Sequence, residues 1–296
     1  MEIDTGLASA PARAAATLVM LRDSDAGMQV FLLKRHGLSD VLGGSYVFPG
    51  GKVDLRDADL DMERHLDRPP AELLASLNES QLDLAGTASL YVAVLREAFE
   101  ESGVLFAHGA TRQQALEAGA MLRTGYAFDE VLAQKALRLD TGNVLPWSRW
   151  ITPIVPTLAN KRFDTRFFVS AFPARQVAQH DNHEATESVW LTPRDALKRY
   201  WDGELELAPP QIMSLAHLSH YASAQDVLLA ARSRRPPVIA PERLEEAGSR
   251  LVCYPGDVCH SVRERALPGP TRLVYRNQRF EPVGGFDALF VPATGS

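Results

Sequence analysis

Three glutamates within one helical turn raise the first chemical question. In REAFEESG, residues 96–103, Glu97, Glu100 and Glu101 are spaced i, i+3, i+4 and project from one face of an α-helix. Carboxylates that close repel one another, so such a face is either wet or gathered around a cation. The flanking SLYVAVLREAFEESGVLF carries Leu90, Val94, Leu95, Ala98 and Phe99 near helical spacing, and Gly103 supplies a stop. The acidic face therefore belongs to a helix that packs against a core. Taken alone, the three glutamates fit a solvated surface as well as a cation site.

Upstream lies HGLSDVLGGSYVFPGGKVD, where glycines and Pro49 break any helix and impose tight backbone geometry. The elements that must hold this loop and the acidic helix can be read in order. AAATLVML, ending at Leu21, and MQVFLLKR, residues 28–35, are strands of a hairpin. Residues 58–87 are polar and acidic and read as a surface excursion with a short helix at PPAELLASL; both of its ends adjoin the chemistry, so it borders the site. VLF after the acidic helix is a short strand, and TRQQALEAGAML and FDEVLAQKALRL are helices. WSRWITPIVP and RFDTRFFVSAF are extended, and ESVWL is a late strand. TPRDALKRYWDG starts a helix with Thr192 as N-cap, Pro193 first and Asp195 in the first turn; PPQIMSLAHLSHYA and DVLLAARS continue helically. Beyond SRRPPV, the runs RLVCYP and TRLVYRN are strand-like. The organisation expected is one domain over residues 12–232 and a strand-containing extension over 238–296 that packs on it or forms a homodimer interface.

Composition narrows the partners. The 296 residues are 46% hydrophobic, and 31 basic against 37 acidic residues give a net charge of −6, without the basic excess that nucleic acid or an anionic membrane requires. No apolar run reaches the roughly 18 residues of a membrane span, and the first residues lack a signal-peptide pattern, which predicts a cytoplasmic protein. Cys253, Cys259 and His260 have no usual zinc spacing, and the pairs His180 with His183 and His217 with His220 receive no function.

The glycine loop and the acidic helix together resemble the signature of the Nudix hydrolases, G-x5-E-x7-R-E-U-x-E-E-x-G-U, where U is a bulky aliphatic residue. Gly51 is followed after five residues by Asp57, an aspartate in place of the family's first glutamate. Arg96, Glu97, Glu100, Glu101, Gly103 and Val104 match the second half, with the smaller Ala98 at one aliphatic position. Between the halves 38 residues, 58–95, stand where the pattern has seven. A split of this kind resembles the subgroup typified by coenzyme A diphosphatases, and the likeness covers roughly residues 12–230. It implies an α/β/α sandwich with a mixed sheet, with Glu97, Glu100, Glu101 and the carbonyl of Gly51 as ligands of Mg²⁺ or Mn²⁺. It also implies a loop tie between Arg96 and Asp57, and Glu184 or Glu187 as the group that deprotonates water.

The chemistry agrees with that resemblance. A diphosphate is densely anionic, and water attacks its phosphorus readily once hard cations neutralise the oxygens and acidify the water. Arg35, Arg162 and Arg166 are candidate phosphate forks, although Arg162 and Arg166 share a strand face with Asp164 and are equally explained by an ion pair. Trp147 and Trp150 stack a base or fill the core. The leading substrate is coenzyme A or an acyl derivative, cut to 3′,5′-ADP and (acyl-)4′-phosphopantetheine. ADP-ribose or another nucleoside diphosphate derivative is the alternative substrate, and a non-catalytic ligand-binding regulator the alternative class.

Overall fold

Strict alternation along the first hairpin creates two apolar faces. In β1 (Arg13–Ser24) and β2 (Gly27–Arg35), Val19, Leu21, Val30 and Leu32 enter one core cluster, and Leu18, Met20, Phe31 and Leu33 the other. This computed structural model describes residues 11–39, 42–154, 162–181, 184–246 and 248–292. His183 and part of WITPIVPTLANKRFDTRFFV lie outside them.

The two strands pair only beside their turn, from Leu21↔Val30 to Ser24↔Gly27, and then part. The first half of β1 pairs with β4 (Gly50–Lys52) at Ala15–Thr17. The far half of β2 pairs with β3 (Tyr46–Val47) and with β7 (Ala185–Leu191). On its other edge β1 runs parallel to β6 (Phe163–Ala171), which is antiparallel to β5 (Leu145–Ile151), which is parallel to β8 (Val238–Ile239). The sheet is mixed and forked at the hairpin.

One face carries α3 (Leu84–Ser102) with α1 (Met62–His65), α2 (Pro70–Leu77), α4 (Arg112–Arg123) and α5 (Phe128–Gln134). The other carries α6 (Pro193–Trp201), α7 (Pro209–Leu218) and α8 (Ala224–Ser233). This is the α/β/α sandwich expected. Thr192 caps α6 as the sequence predicts, accepting from the Asp195 N–H. The extension continues the second face: β9 (Glu242–Glu246), β10 (Ser249–Cys253), β11 (Arg272–Arg276) and β12 (Arg279–Pro282) form a separate antiparallel sheet in the order β12-β11-β10-β9. Tyr254, Leu267, Leu273 and Leu289 join the α6–α8 core, and the Tyr200 hydroxyl donates to Phe280 O at 2.9 Å while accepting from Phe280 N–H at 2.8 Å.

Three local expectations are corrected. Residues 58–87 are not a surface excursion: Leu60, Leu66, Leu73 and Leu77 are buried in the α3 core, where intervening acidic residues mask their pattern in the sequence. Val104–Phe106 forms no strand. The Gln176 side chain stands in for a partner strand, accepting from Leu105 N–H at 2.8 Å and donating to Leu105 O at 2.7 Å. The helix from Phe128 stops at Gln134, with Ala136 in the left-handed region at φ 49°, which releases Leu139 to bridge Leu66 and Ala107. Among the described residues no helix is long and apolar enough to cross a membrane.

Candidate active site

Helix α3 is fixed at both ends. Asp83 accepts the Gly86 N–H at 2.7 Å as N-cap, and Gly103 closes the C-terminus in the left-handed region at φ 69°. Its last turns face the glycine loop at very short range. The Gly50 N–H donates to Glu101 Oε2 at 2.8 Å, and a Cβ on Gly51 would collide with the Glu97 carboxylate. Only glycine at 51 lets loop and carboxylate meet.

Arg96 joins helix to loop. Its Nε and Nη2 donate to Asp57 Oδ1 and Oδ2 at 2.8 and 3.0 Å, a bidentate pair with Asp57 only 2% exposed. The methylene that aspartate lacks is made up by the loop: a single 3₁₀ turn, Leu55–Ala58, lifts Asp57 to the guanidinium, and Asp57 Oδ2 also accepts the Asp54 N–H at 2.7 Å. Arg96 Nη1 reaches Glu97 and Glu100, both at 2.9 Å, and Nη2 reaches Lys52 O at 3.0 Å.

The charges around Arg96 do not balance. Burial is the largest influence on all three helix glutamates and favours their protonated forms: Glu97 is pushed up to about 7, Glu101 to about 8, and Glu100 upward. Arg96 offsets this for Glu97 and Glu100, while Glu184 adds repulsion at Glu97 and Glu101. One guanidinium thus faces Asp57, Glu97 and Glu100, with Glu101 behind them. An all-oxygen donor set with surplus buried negative charge fits a hard divalent cation.

A cleft of about 550 Å³ opens from this cluster along the fork of the sheet. Ala15 and Thr17 of β1, Arg35 at the end of β2, Phe163 and Thr165 of β6, and Glu184 ahead of β7 line it, together with Gly51, Glu97 and Glu100. The sequence-predicted residues separate accordingly. Glu184 lies in the cleft, whereas Glu187 points elsewhere and pairs with Lys34 at 3.8 Å. Arg35 lines the cleft, with its buried Nε lacking a hydrogen-bond partner among the described residues. Arg166 is 5% exposed and turned to the α3 side, bound to Glu79 at 2.5 Å and Asp164 at 2.9 Å. Its ion-pair alternative is the one the geometry gives. Arg162 donates to Thr152 O at 3.2 Å and does not line the cleft. No residue of 58–87 lines it either: the insertion packs behind α3, its Glu79 holding Arg166 and Arg149.

Trp147 and Trp150 are core residues, 1% and 4% exposed. His260 is engaged at both ring nitrogens, by Ala240 O and Val262 N–H at 2.9 Å each, and Cys253 is buried, so no metal site forms there. Sequence reasoning missed Lys52, Asp54 and Gln211 in the cleft wall. Gln211 had a signal, as a polar residue on the buried side of the apolar helix α7. A different trio, Asp67, His108 and Asp140, has ligand atoms within 4.8 Å of one another. Asp67 already accepts from Thr141 N–H, the Thr141 hydroxyl, Gly142 N–H and the His108 ring, which uses its lone pairs and makes the trio a hydrogen-bonded knot.

Comparison with known proteins adds the following. Residues 7–218 match the family described as the NUDT19 Nudix domain. The acyl-coenzyme A diphosphatase NUDT19 of Xenopus laevis is 25% identical over 234 residues, 67% of this chain and 62% of that protein. The human protein of the same name is 26% identical over 237 residues, 68% and 63% of the two chains. This chain therefore spans less than two thirds of the length of those relatives. Among solved structures, a NUDIX hydrolase from Alicyclobacillus acidocaldarius superposes with a TM-score of 0.60 at 28% identity, covering 77% of this chain and 99% of that one.

Proposed function

The chain belongs to the NUDT19 Nudix domain family, and from that premise we propose that it hydrolyses the diphosphate of coenzyme A or acyl-coenzyme A to 3′,5′-ADP and (acyl-)4′-phosphopantetheine. The observation that carries the reading is the surplus of buried carboxylates on α3 directly against Gly51, at the end of a cleft with an unpartnered arginine nitrogen. Glu97, Glu100, Glu101 and the Gly51 carbonyl would hold Mg²⁺ or Mn²⁺. Bound divalent cations would neutralise the diphosphate oxygens and acidify the attacking water.

The chain's own groups do the rest. Arg96 keeps Glu97 and Glu100 in place and ties them to the loop through Asp57. Glu184, ahead of β7 and within the cleft, takes the proton from water as it attacks phosphorus. Arg35 grips the diphosphate with a planar fork. The names of the relatives favour coenzyme A over ADP-ribose.

The test is product analysis by chromatography on coenzyme A, acyl-coenzyme A and ADP-ribose, each with Mg²⁺, with Mn²⁺ and with chelator. The expected products are 3′,5′-ADP and phosphopantetheine, formed only with metal. A far greater catalytic efficiency on ADP-ribose would overturn the substrate, and metal-independent hydrolysis the site.

A further inference from the structure

A second cavity, larger than the cleft at about 910 Å³, lies beside it, and Glu100 lines both. One wall is a face of α4; the rest comes from the end of α3 and from residues 176–181, with the carboxylates of Glu100 and Asp181 among it. Arg112, Ala115, Leu116, Gly119, Leu122 and Arg123 recur at helical spacing along about 16 Å of helix. Tyr126 and Val177 complete an apolar floor, and with Leu116 they are exposed to an extent unusual for their type: 42%, 55% and 56%. Neither Arg112 nor Arg123 has a carboxylate or hydrogen-bond partner among the described residues. Gly119 leaves a notch for the Arg123 guanidinium, whose Nη1 lies 3.3 Å from where a Cβ would stand.

The coenzyme A reading, on which this inference rests, brings a diphosphate and a 3′-phosphate to a cleft whose lining offers, besides Arg96, two cations, Arg35 and Lys52. The 3′-phosphate brings further negative charge to a protein of net charge −6. Arg166 is spent on Glu79 and Asp164, and Arg162 is held at Thr152. Arg35 stands at the diphosphate. We propose that the α4 cavity is the 3′-phosphoadenosine subsite: Arg112 and Arg123 bind the 3′-phosphate, and the purine lies on the floor of Leu116, Tyr126 and Val177. The diphosphate then spans Glu100 from one cavity to the other, and the phosphopantetheine arm keeps to the cleft.

Calorimetric binding of 3′,5′-ADP and 5′-AMP tests this without turnover. Wild type should bind 3′,5′-ADP at least about tenfold more tightly, the scale of one charge-assisted arginine contact. In the double variant R112A/R123A the two ligands should bind equally, with 5′-AMP within about twofold of wild type; Arg→Lys at both positions should retain part of the preference. Both arginines are exposed on α4, so their removal leaves the fold intact. Equal binding of the two ligands by wild type overturns the proposal. So does an R112A/R123A preference as strong as wild type's, or an L116D variant that changes acyl-chain dependence while 3′-phosphate preference stays. If 3′,5′-ADP is preferred but coenzyme A is not cut, the subsite stands and the proposed reaction falls.

Discussion

Arg96 and Arg166 are both buried arginines caught between carboxylates, 70 positions apart in the chain, one on α3 and the other on β6. Around Arg166 the charges close: Arg149 and Arg166 share Glu79 and Asp164, with Arg149 at 2.9 Å from Glu79 and 2.7 Å from Asp164. Around Arg96 they do not, since Asp57, Glu97 and Glu100 share one guanidinium, while Glu101 accepts the Gly50 N–H and feels Arg35 without an ion pair among the described residues. A balanced cluster has its partners within the fold and fixes the insertion to the sheet. An unbalanced one has its energy minimum only when something positive arrives, which is what distinguishes a site from a brace.

Breaking the balanced cluster should give the largest change in stability. Glu79→Ala leaves two guanidiniums on Asp164 alone and should cost about 3–5 kcal/mol, the usual penalty for uncovering a buried charge. Denaturant melts would register it, with or without Mg²⁺, while turnover per folded molecule below the transition stays within about twofold. An unchanged midpoint would mean the insertion is held by its leucines alone.

At the unbalanced cluster the effect moves from stability to rate. Glu100→Gln and Glu101→Gln keep size and lose charge, so each should lower metal-dependent turnover at least about a hundredfold, about 2.7 kcal/mol of transition-state stabilisation. Above about pH 8, where Glu101 is charged, the metal-free melting temperature of Glu101→Gln should hold or rise, since surplus charge is removed. Near-normal turnover in both variants would dismiss the metal assignment.

A smaller signal comes from pH. Glu97 and Glu101, at about 7 and about 8 in the folded chain against an ordinary value of 4.5, bind protons more tightly folded than unfolded. The folded state therefore holds more protons between those values, and metal-free stability should fall as pH rises from about 4.5 to about 8, then level off. Saturating Mg²⁺ should remove the slope. Thermal melts across that range in chelator and in Mg²⁺ decide it; a stability that climbs with pH in chelator would show the carboxylates are already compensated.

The smallest change expected is Asp57→Glu, which restores the family's residue into a pocket shaped for the shorter one. It should cost about 1 kcal/mol through crowding, with turnover within about threefold. A gain in stability would show that the loop does not make up the missing methylene.

What the sequence disclosed follows the range of the interactions. The i, i+3, i+4 glutamates, the Gly103 stop and the glycine loop are local patterns, and α3, its cap and its contact with Gly51 follow from them. Arg35 was picked out by its place after a strand, and Glu184, with Glu187, by the family resemblance; Arg35 and Glu184 line the cleft. The fate of Arg166 was legible only in its pairing with Asp164, because its other partner, Glu79, lies 87 residues away inside the insertion. The burial of Leu60, Leu66, Leu73 and Leu77 was hidden for a similar reason: no single period links them, and only α3 brings them together. Val104–Phe106 misled because a side-chain amide replaces the strand that β-propensity anticipates.

The two-residue turn Asp25–Ala26 at the tip of the first hairpin contributes nothing to the cleft lining, yet it sets the phase of the whole cleft. From that tip one arm carries Thr17 and, through β4, Gly50 and Gly51; the other carries Arg35 and, through β7, the approach of Glu184. Neither arm is laced to the other below Leu21↔Val30. A slip of one residue at the tip would turn each side chain of one arm to the opposite face and carry the wall of Gly50 and Gly51 out of step with the wall of Arg35 and Glu184. The hairpin tip is thus the vernier of the site: an exposed turn whose length calibrates how two independently built jaws meet.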